Sequence, residues 1–389
     1  IYQCVNGINY VADGFSGNYN KVLENTLIDT KYPLGGTGNG PFASVGNIVS
    51  ENTVSCVSYS LYMGIEDFSG TNGSSPIYGI FNTVISNNIF NGSLSVACDY
   101  FAISAVSKGA IVTGNVITDW YNTSGIISAV ELAGQGGITC SQNKIWWSTA
   151  PDATRGYGIF NAGNIGYGAT LISENEIQNA NIGVWIFASG ISQNIISNNS
   201  FKNLRRGAVL ANGGVNNYLT IEGNTIDVTI PAIENRNQIS MFTTCNAVIL
   251  GNVIKYASSA SQNTFQDNGI VAASPCIISN NIMDMGGFTF PTSYGVFSNG
   301  ANTSNVIVTG NSFLGGMGMN YQQFTNIRAS NNIVSGSQLG LGEAVLGFYD
   351  TQTPTTKPVI TGSRGGNAAL ASLLTSLAAF GLITNSTTA

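Results

Sequence analysis

The chain has 389 residues, of which 8% are charged, against about 25% in a typical soluble protein. Its formal net charge of −6 and pI near 4.6 give no electrostatic footprint for nucleic acid and no basic patch for a membrane surface. Histidine is absent, which excludes imidazole bases and histidine-ligated metals, so polar surface has to come from Asn, Ser, Thr and the 48 glycines.

No apolar run approaches the roughly 18 residues that a membrane span requires. No charged region followed by an apolar stretch marks a signal peptide, and the sequence begins with Ile1, so a processed or partial chain is expected. Cys4, Cys56, Cys98, Cys140, Cys245 and Cys276 are widely spaced with no CxxC pair. They read as small buried hydrophobes and not as disulfides or zinc ligands, and no cofactor is expected.

Residues 1–24 hold several glycines and read as an N-terminal cap. From Asn25 a short pattern recurs: "LENTL", "SENTV", "SNNIF", "TGNVI", "SQNKI", "SENEI", "SNNSF", "EGNTI", "LGNVI", "SNNIM", "TGNSF" and "SNNIV". The aligned asparagines are Asn25, Asn52, Asn88, Asn115, Asn143, Asn175, Asn199, Asn224, Asn252, Asn281, Asn311 and Asn332, with a mean spacing near 28 residues. A nearly constant period over residues 25–350 predicts a repeat architecture. Short β-branched stretches ("TLIS", "VIVT", "CIIS") precede each asparagine, and alternation resumes after it. A third stretch, such as "YGIFN", "IGVWIF" or "YGVFSN", appears earlier in many periods.

Three short strands per period without helical periodicity predict an all-β chain, a parallel β-helix of about 12 coils. The asparagine marks a corner, where its tolerance of left-handed backbone is useful, and stacked amides can bond as an internal ladder. Coils about 4.8 Å apart make a rod on the order of 55 Å long.

From Thr351 the pattern breaks. Pro354 and Pro358 read as a linker, and Asn367 as the cap of a helix running to about Phe380, with Gly381 as its stop. Leu370, Leu373, Leu374, Leu377 and Phe380 form an apolar stripe that needs a partner, either the end of the rod or sister chains. "GSRGGN" lacks the Lys-Ser/Thr ending of a phosphate loop.

The ending "TGSRGGNAALASLLTSLAAFGLITNST" resembles the C-terminal segment of several bacteriophage structural and tail proteins. The repeat region is similar to the body of phage tailspikes and of the pectate-lyase-like right-handed parallel β-helices. That resemblance implies a virion tail protein, a homotrimer that contacts other tail proteins and engages bacterial surface polysaccharide, with cleavage as an option. Fold alone does not fix function.

Sugar cleavage needs paired carboxylates, or a base with a charge-neutralising partner. The clustered Asp pairs and the His-Gly of polygalacturonase-like members are missing, and Glu66–Asp67 is the only adjacent acidic pair. Glu24, Glu51 and Glu174 beside the repeat asparagine, and Asp119, Asp227 and Asp284 after it, read as solvated corner residues. Asp99, Glu131 and Asp152 lie near the "YGIF"-type strand in successive coils, and are the candidate catalytic carboxylates; Glu234 and Asp267 lie near the same strand.

All four tryptophans fall in one stretch, so Trp120, Tyr121, Trp146, Trp147, Tyr157 and Trp185 are candidates for stacking on sugar rings, with Arg155 for an anionic saccharide. Trp185 lies in a strand and fits the core equally well. Three readings stay open: a glycan depolymerase, a receptor-binding spike that does not cut, and a structural spacer. A secreted bacterial β-helix lyase or adhesin is a further alternative.

Overall fold

The computed structural model describes residues 6–11, 19–30, 32–37, 44–57, 65–68, 80–95, 98, 101–105, 108–120, 128–133, 137–149, 156–162, 169–187, 193–212, 218–230, 234–241, 246–257, 265–272, 275–285, 294–298, 303–314, 317–319, 324–335, 359–379 and 384–388. The chain divides into two compact units, Ile1–Gly342 and Glu343–Ala389.

The first unit is a parallel β-helix. Within one turn the chain runs through three strands, for instance Tyr157–Asn161, Ala169–Ser173 and Glu176–Gln178. Each strand pairs in parallel with its counterparts in the turns before and after. The result is three sheets of twelve strands each, here numbered 1 to 3 in the order the chain visits them within a turn. Alternation decides what enters the core. The central residues of the short strands of sheet 3, among them Leu27, Phe90, Ile145, Phe201 and Phe313, are fully buried and stack in register. The equivalent row of sheet 2 includes Val49, Ile85, Val112, Ile172 and Ile249.

Between sheets 2 and 3 the corner contains the repeat asparagine. Eleven side-chain bonds join all twelve asparagines from Asn25 to Asn332, each Nδ2 donating to the Oδ1 of the next turn. Each oxygen also accepts the backbone N–H of the preceding asparagine, as Asn199 Oδ1 does from Asn175 at 2.9 Å. The second Nδ2 hydrogen reaches a carbonyl, such as Ile172 O at 3.0 Å from Asn199. A row of buried amides is tolerated because every member is satisfied; one orphaned group costs about 1–3 kcal/mol.

The left-handed residue of this corner is the one before the repeat asparagine, not the asparagine itself. Glu24, Glu51, Asn87, Gly114, Gln142, Glu174, Asn198, Gly223, Gly251, Asn280, Gly310 and Asn331 all have φ between 54° and 67°. The conserved amide therefore serves the ladder, and the variable residue beside it absorbs the backbone strain. Glu24, Glu51 and Glu174 are exposed there. A second left-handed corner follows sheet 3 at Asp29, Asp119, Asn179 and Asn203. Asp119 is no freely solvated carboxylate: its Oδ1 accepts from the backbone N–H and Oγ of Ser148 at 2.7 and 3.0 Å.

Cys56, Cys98, Cys140 and Cys276 are buried, and burial pushes the Cys140 thiol up to about 12. Cys4 and Cys245 lie outside the described residues.

The second unit contains two strands that the sequence reading assigned to a linker and a tail, Val359–Ser363 and Thr384–Thr388, paired in parallel around the helix Ala368–Ala379. Asn367 Oδ1 accepts the Leu370 N–H at 3.1 Å, the expected N-cap. Prolines drew attention from "VITGS", whose β-branched residues pair with a distant segment. Phe380 and Gly381 fall outside the described residues. No helix among the described residues is long and apolar enough to cross a membrane.

Candidate functional site

Most strands of sheet 1 are longer than the three- or four-residue strands of sheet 3. Ser128–Leu132, Tyr157–Asn161, Ile182–Ile186 and Gly207–Ala211 share one burial pattern: residues one to three and five are buried, and the fourth is half-exposed. Register links these fourth positions into one outward row: Ser104, Glu131, Phe160, Trp185, Leu210, Ser240, Val271 and Phe297. Parallel pairing places them one strand spacing apart, about 4.8 Å.

The middle of that row is aromatic. The Trp185 ring lies 5.0 Å from Phe160, 4.7 Å from Tyr157 and 5.6 Å from Phe187, centroid to centroid. Phe187 is 47% exposed. Burial pushes the Tyr157 hydroxyl above its usual value, and the nearby Arg206 guanidinium opposes that shift. Trp185 Nε1 is buried without a hydrogen-bond partner. Tyr157 and Phe187 meet Trp185 edge to face and Phe160 meets it tilted, and the solvent side of this cluster forms a platform of the kind that receives apolar ring faces.

On one side of the platform is Glu131, whose Oε2 accepts the Ser104 Oγ at 2.6 Å. Glu66 occupies the same row on the far side of Ser104, because Glu66 pairs with Ser104 and Ser104 with Glu131. The acidic pair Glu66–Asp67, isolated in sequence, is thus brought within two strands of Glu131 by the stacking.

On the other side is a pocket of about 60 Å³, lined by Ile182, Arg206, Gly207, Leu210, Asn235, Asn237 and Ser240. Ile182 is the register partner of Tyr157, and Leu210 that of Trp185, so pocket and platform are contiguous. A Cβ at Gly207 would collide with the Asn237 carbonyl oxygen, so this wall requires glycine.

The sequence-predicted residues fare unevenly. Glu131, Tyr157 and Trp185 share this face. Trp120 and Trp147 do not: both are 1% exposed, and Trp147 Nε1 donates to Trp120 O at 2.7 Å inside the core. They follow sheet 3, where the chain turns back under the next layer and large rings fill the corner. Trp146 is half-exposed but belongs to sheet 3. Asp99, Tyr121, Asp152 and Arg155 lie outside the described residues.

Asp267 is fully buried and paired with Arg236 through bonds of 2.7 and 3.0 Å, a structural role. Burial raises its pKa, and the Arg236 bond and charge oppose the rise. Glu234 forms an ion pair with Arg205 at 2.9 Å. Sequence reasoning missed Phe160, Phe187, Arg206 and Ser240. Aligning the "YGIF"-type stretches by strand register would have put Phe160, Trp185 and Phe297 in one column.

No family model matches the chain, and no curated protein sequence does. Two solved structures are similar to it. One is a mannuronic acid specific polysaccharide family 6 lyase enzyme from human gut microbiota, 10% identical with a TM-score of 0.40, over 85% of this chain and 78% of the lyase. The other is the Dettilon tailspike protein, 13% identical with a TM-score of 0.33, over 75% of this chain and 62% of the tailspike. The chain therefore spans less than two thirds of that tailspike's length. The parallel β-helix of this chain stands on its own strand pairing, three sheets of twelve strands each among the described residues.

Proposed function

We propose that the outward face of sheet 1 binds bacterial surface polysaccharide, and that the chain is the body of a tailspike or comparable extracellular spike. The observation that carries this is the ring cluster on sheet 1: Phe160 and Trp185 are register partners and half-exposed, with Tyr157 packed beneath and Phe187 exposed beside them. Sugar rings present apolar C–H faces to such platforms and hydroxyls to flanking polar groups; Glu131, Arg206 and the Asn235–Asn237 pair supply the latter. The C-terminal unit is read as an oligomerisation segment, as expected for a trimeric virion protein. Its isolated two-stranded sheet is marginal alone, and Leu370 and Leu373 on its helix are 39% and 55% exposed.

A hydrolytic reading has one observation in its favour. Glu66 and Glu131 occupy register positions two strands apart in sheet 1, about 9–10 Å from backbone to backbone, so two acidic residues fall on one stretch of the sheet. In that reading one carboxyl protonates the glycosidic oxygen and the other activates water from the opposite side.

The test is incubation of the chain with capsule and lipopolysaccharide from a bacterial panel, scoring retention and new reducing ends together. Retention that disappears in Trp185→Ala supports the binding face. New ends abolished by Glu131→Gln add hydrolysis to it. Retention unaffected by Trp185→Ala overturns the assignment of the face.

A further inference from the structure

We propose that the pocket beside Leu210 is an oxyanion subsite, taking the carboxylate of an acidic sugar unit whose ring or neighbouring ring lies on the Trp185 platform. This rests on the glycan-binding reading of the same face and adds the chemical class of the sugar.

The argument is an inventory of donors and acceptors. Asn235 Oδ1 already accepts the Gln266 N–H at 2.9 Å, and Asn237 Oδ1 accepts the Asn268 Nδ2 at 2.8 Å. Both amide oxygens are therefore already engaged as acceptors, and the group left to each side chain is the NH2 donor. Ser240 is 1% exposed, its Oγ has no hydrogen-bond partner, and it lines the pocket. A buried hydroxyl without a partner costs free energy until something bonds it.

The charge balance points the same way. Arg206 supplies a guanidinium that is 55% exposed. Glu234 lies 2.9 Å from Arg205 and 4.0 Å from Arg206, so among the described residues two guanidinium groups share one carboxylate. Among the described residues that line the pocket there is no Asp or Glu. A wall of N–H and O–H donors with a guanidinium suits a group that only accepts, and Arg recognises carboxylates through two parallel bonds.

Size narrows the ligand. A volume of about 60 Å³ holds several waters or one carboxylate, and is too small for a whole sugar ring. The ring must then stay outside, and the surface outside is the platform, one strand spacing away.

The experiment measures binding of uronic acid oligosaccharides, their carboxyl-reduced counterparts and sulfated neutral oligosaccharides to the full chain by calorimetry and tryptophan fluorescence. Carboxyl reduction and Arg206→Gln should each weaken binding about 10- to 100-fold, the range for a charge-assisted pair. The two losses should not add: the reduced ligand should bind wild type and Arg206→Gln alike. Ser240→Ala should weaken only the acidic ligand. Arg206 is exposed, so its variant should keep the wild-type melting temperature, which is checked alongside.

Equal binding of acidic and reduced ligands, with loss in Trp185→Ala, overturns the oxyanion subsite and leaves the platform standing. Preference for sulfated over uronic ligands overturns the carboxylate assignment. Absence of binding by every ligand class overturns the subsite and the platform together.

Discussion

Trp185 stands directly opposite Phe160 on the neighbouring strand, with ring centroids 5.0 Å apart and planes inclined at 45°. The parallel register of sheet 1 makes this contact, because residues about 25 positions apart in sequence become lateral neighbours once per turn. Chain stacking thus turns a weak local signal into a surface.

Replacing Trp185 with Ala should reduce glycan affinity by about 1–3 kcal/mol, or roughly 5- to 150-fold, with little change in melting temperature. The ring is half-buried against other rings and not part of the sealed interior. Isothermal titration with the bound glycan and a thermal melt read the two effects separately. A large melting shift with unchanged affinity would assign Trp185 to packing.

The ladder makes a positional prediction. Asn199→Ala removes an oxygen that accepts two bonds from Asn175 and strands both donors in the core, so it should destabilise the protein by about 2–5 kcal/mol. Asn332→Ala at the end of the row, where the amide is only partly buried, should cost about 1 kcal/mol or less. Urea unfolding compares them. Equal costs would mean that the ladder is not the source of stability.

At the corners, Gly251→Ala should cost about 1–2 kcal/mol through its φ of +65° alone, since a Cβ there meets nothing within 4 Å. Gly223→Ala should cost more, because its Cβ would also press on Asn198 Oδ1. Conversely Glu51→Gly, at φ +59° and exposed, should be neutral or slightly stabilising. Melting temperatures of the three variants check the order.

The Arg236–Asp267 pair should show the behaviour of a buried salt bridge. Arg236→Met should cost about 3–5 kcal/mol at neutral pH by leaving the Asp267 carboxylate buried without its guanidinium partner, while adding Asp267→Leu should recover most of it. Burial sets the Asp267 pKa above 3.8, so its contribution to stability is present below 3.8 and is lost as pH rises through the folded value. Unfolding from about pH 3 to pH 7 should then show wild type losing ground to the double variant as pH rises. The opposite slope would contradict a raised pKa.

The architecture was legible because one requirement repeats: a corner amide that bonds its own copy in the next turn marks the sequence twelve times, from Asn25 to Asn332. Which residue takes the left-handed backbone was less visible, because Glu, Gln, Asn and Gly all fill that position. The site was legible only in part. Trp185 and Glu131, chosen by type, lie on the sheet 1 face, but Trp120 and Trp147, chosen on the same ground, are sealed in the core. Phe160, Arg206 and Ser240 carry no local signature; only strand register brings them to one face. Glu66 looked isolated for the same reason.

The most direct test of the central claim is a parallel titration of Trp185→Ala and Trp146→Ala against the surface polysaccharide that the wild-type chain retains. The two residues are both half-exposed tryptophans, on sheets 1 and 3 respectively. If the sheet 1 face binds glycan, Trp185→Ala loses affinity at least about fivefold and Trp146→Ala keeps it. Loss confined to Trp146→Ala, or equal retention by both, would contradict the account.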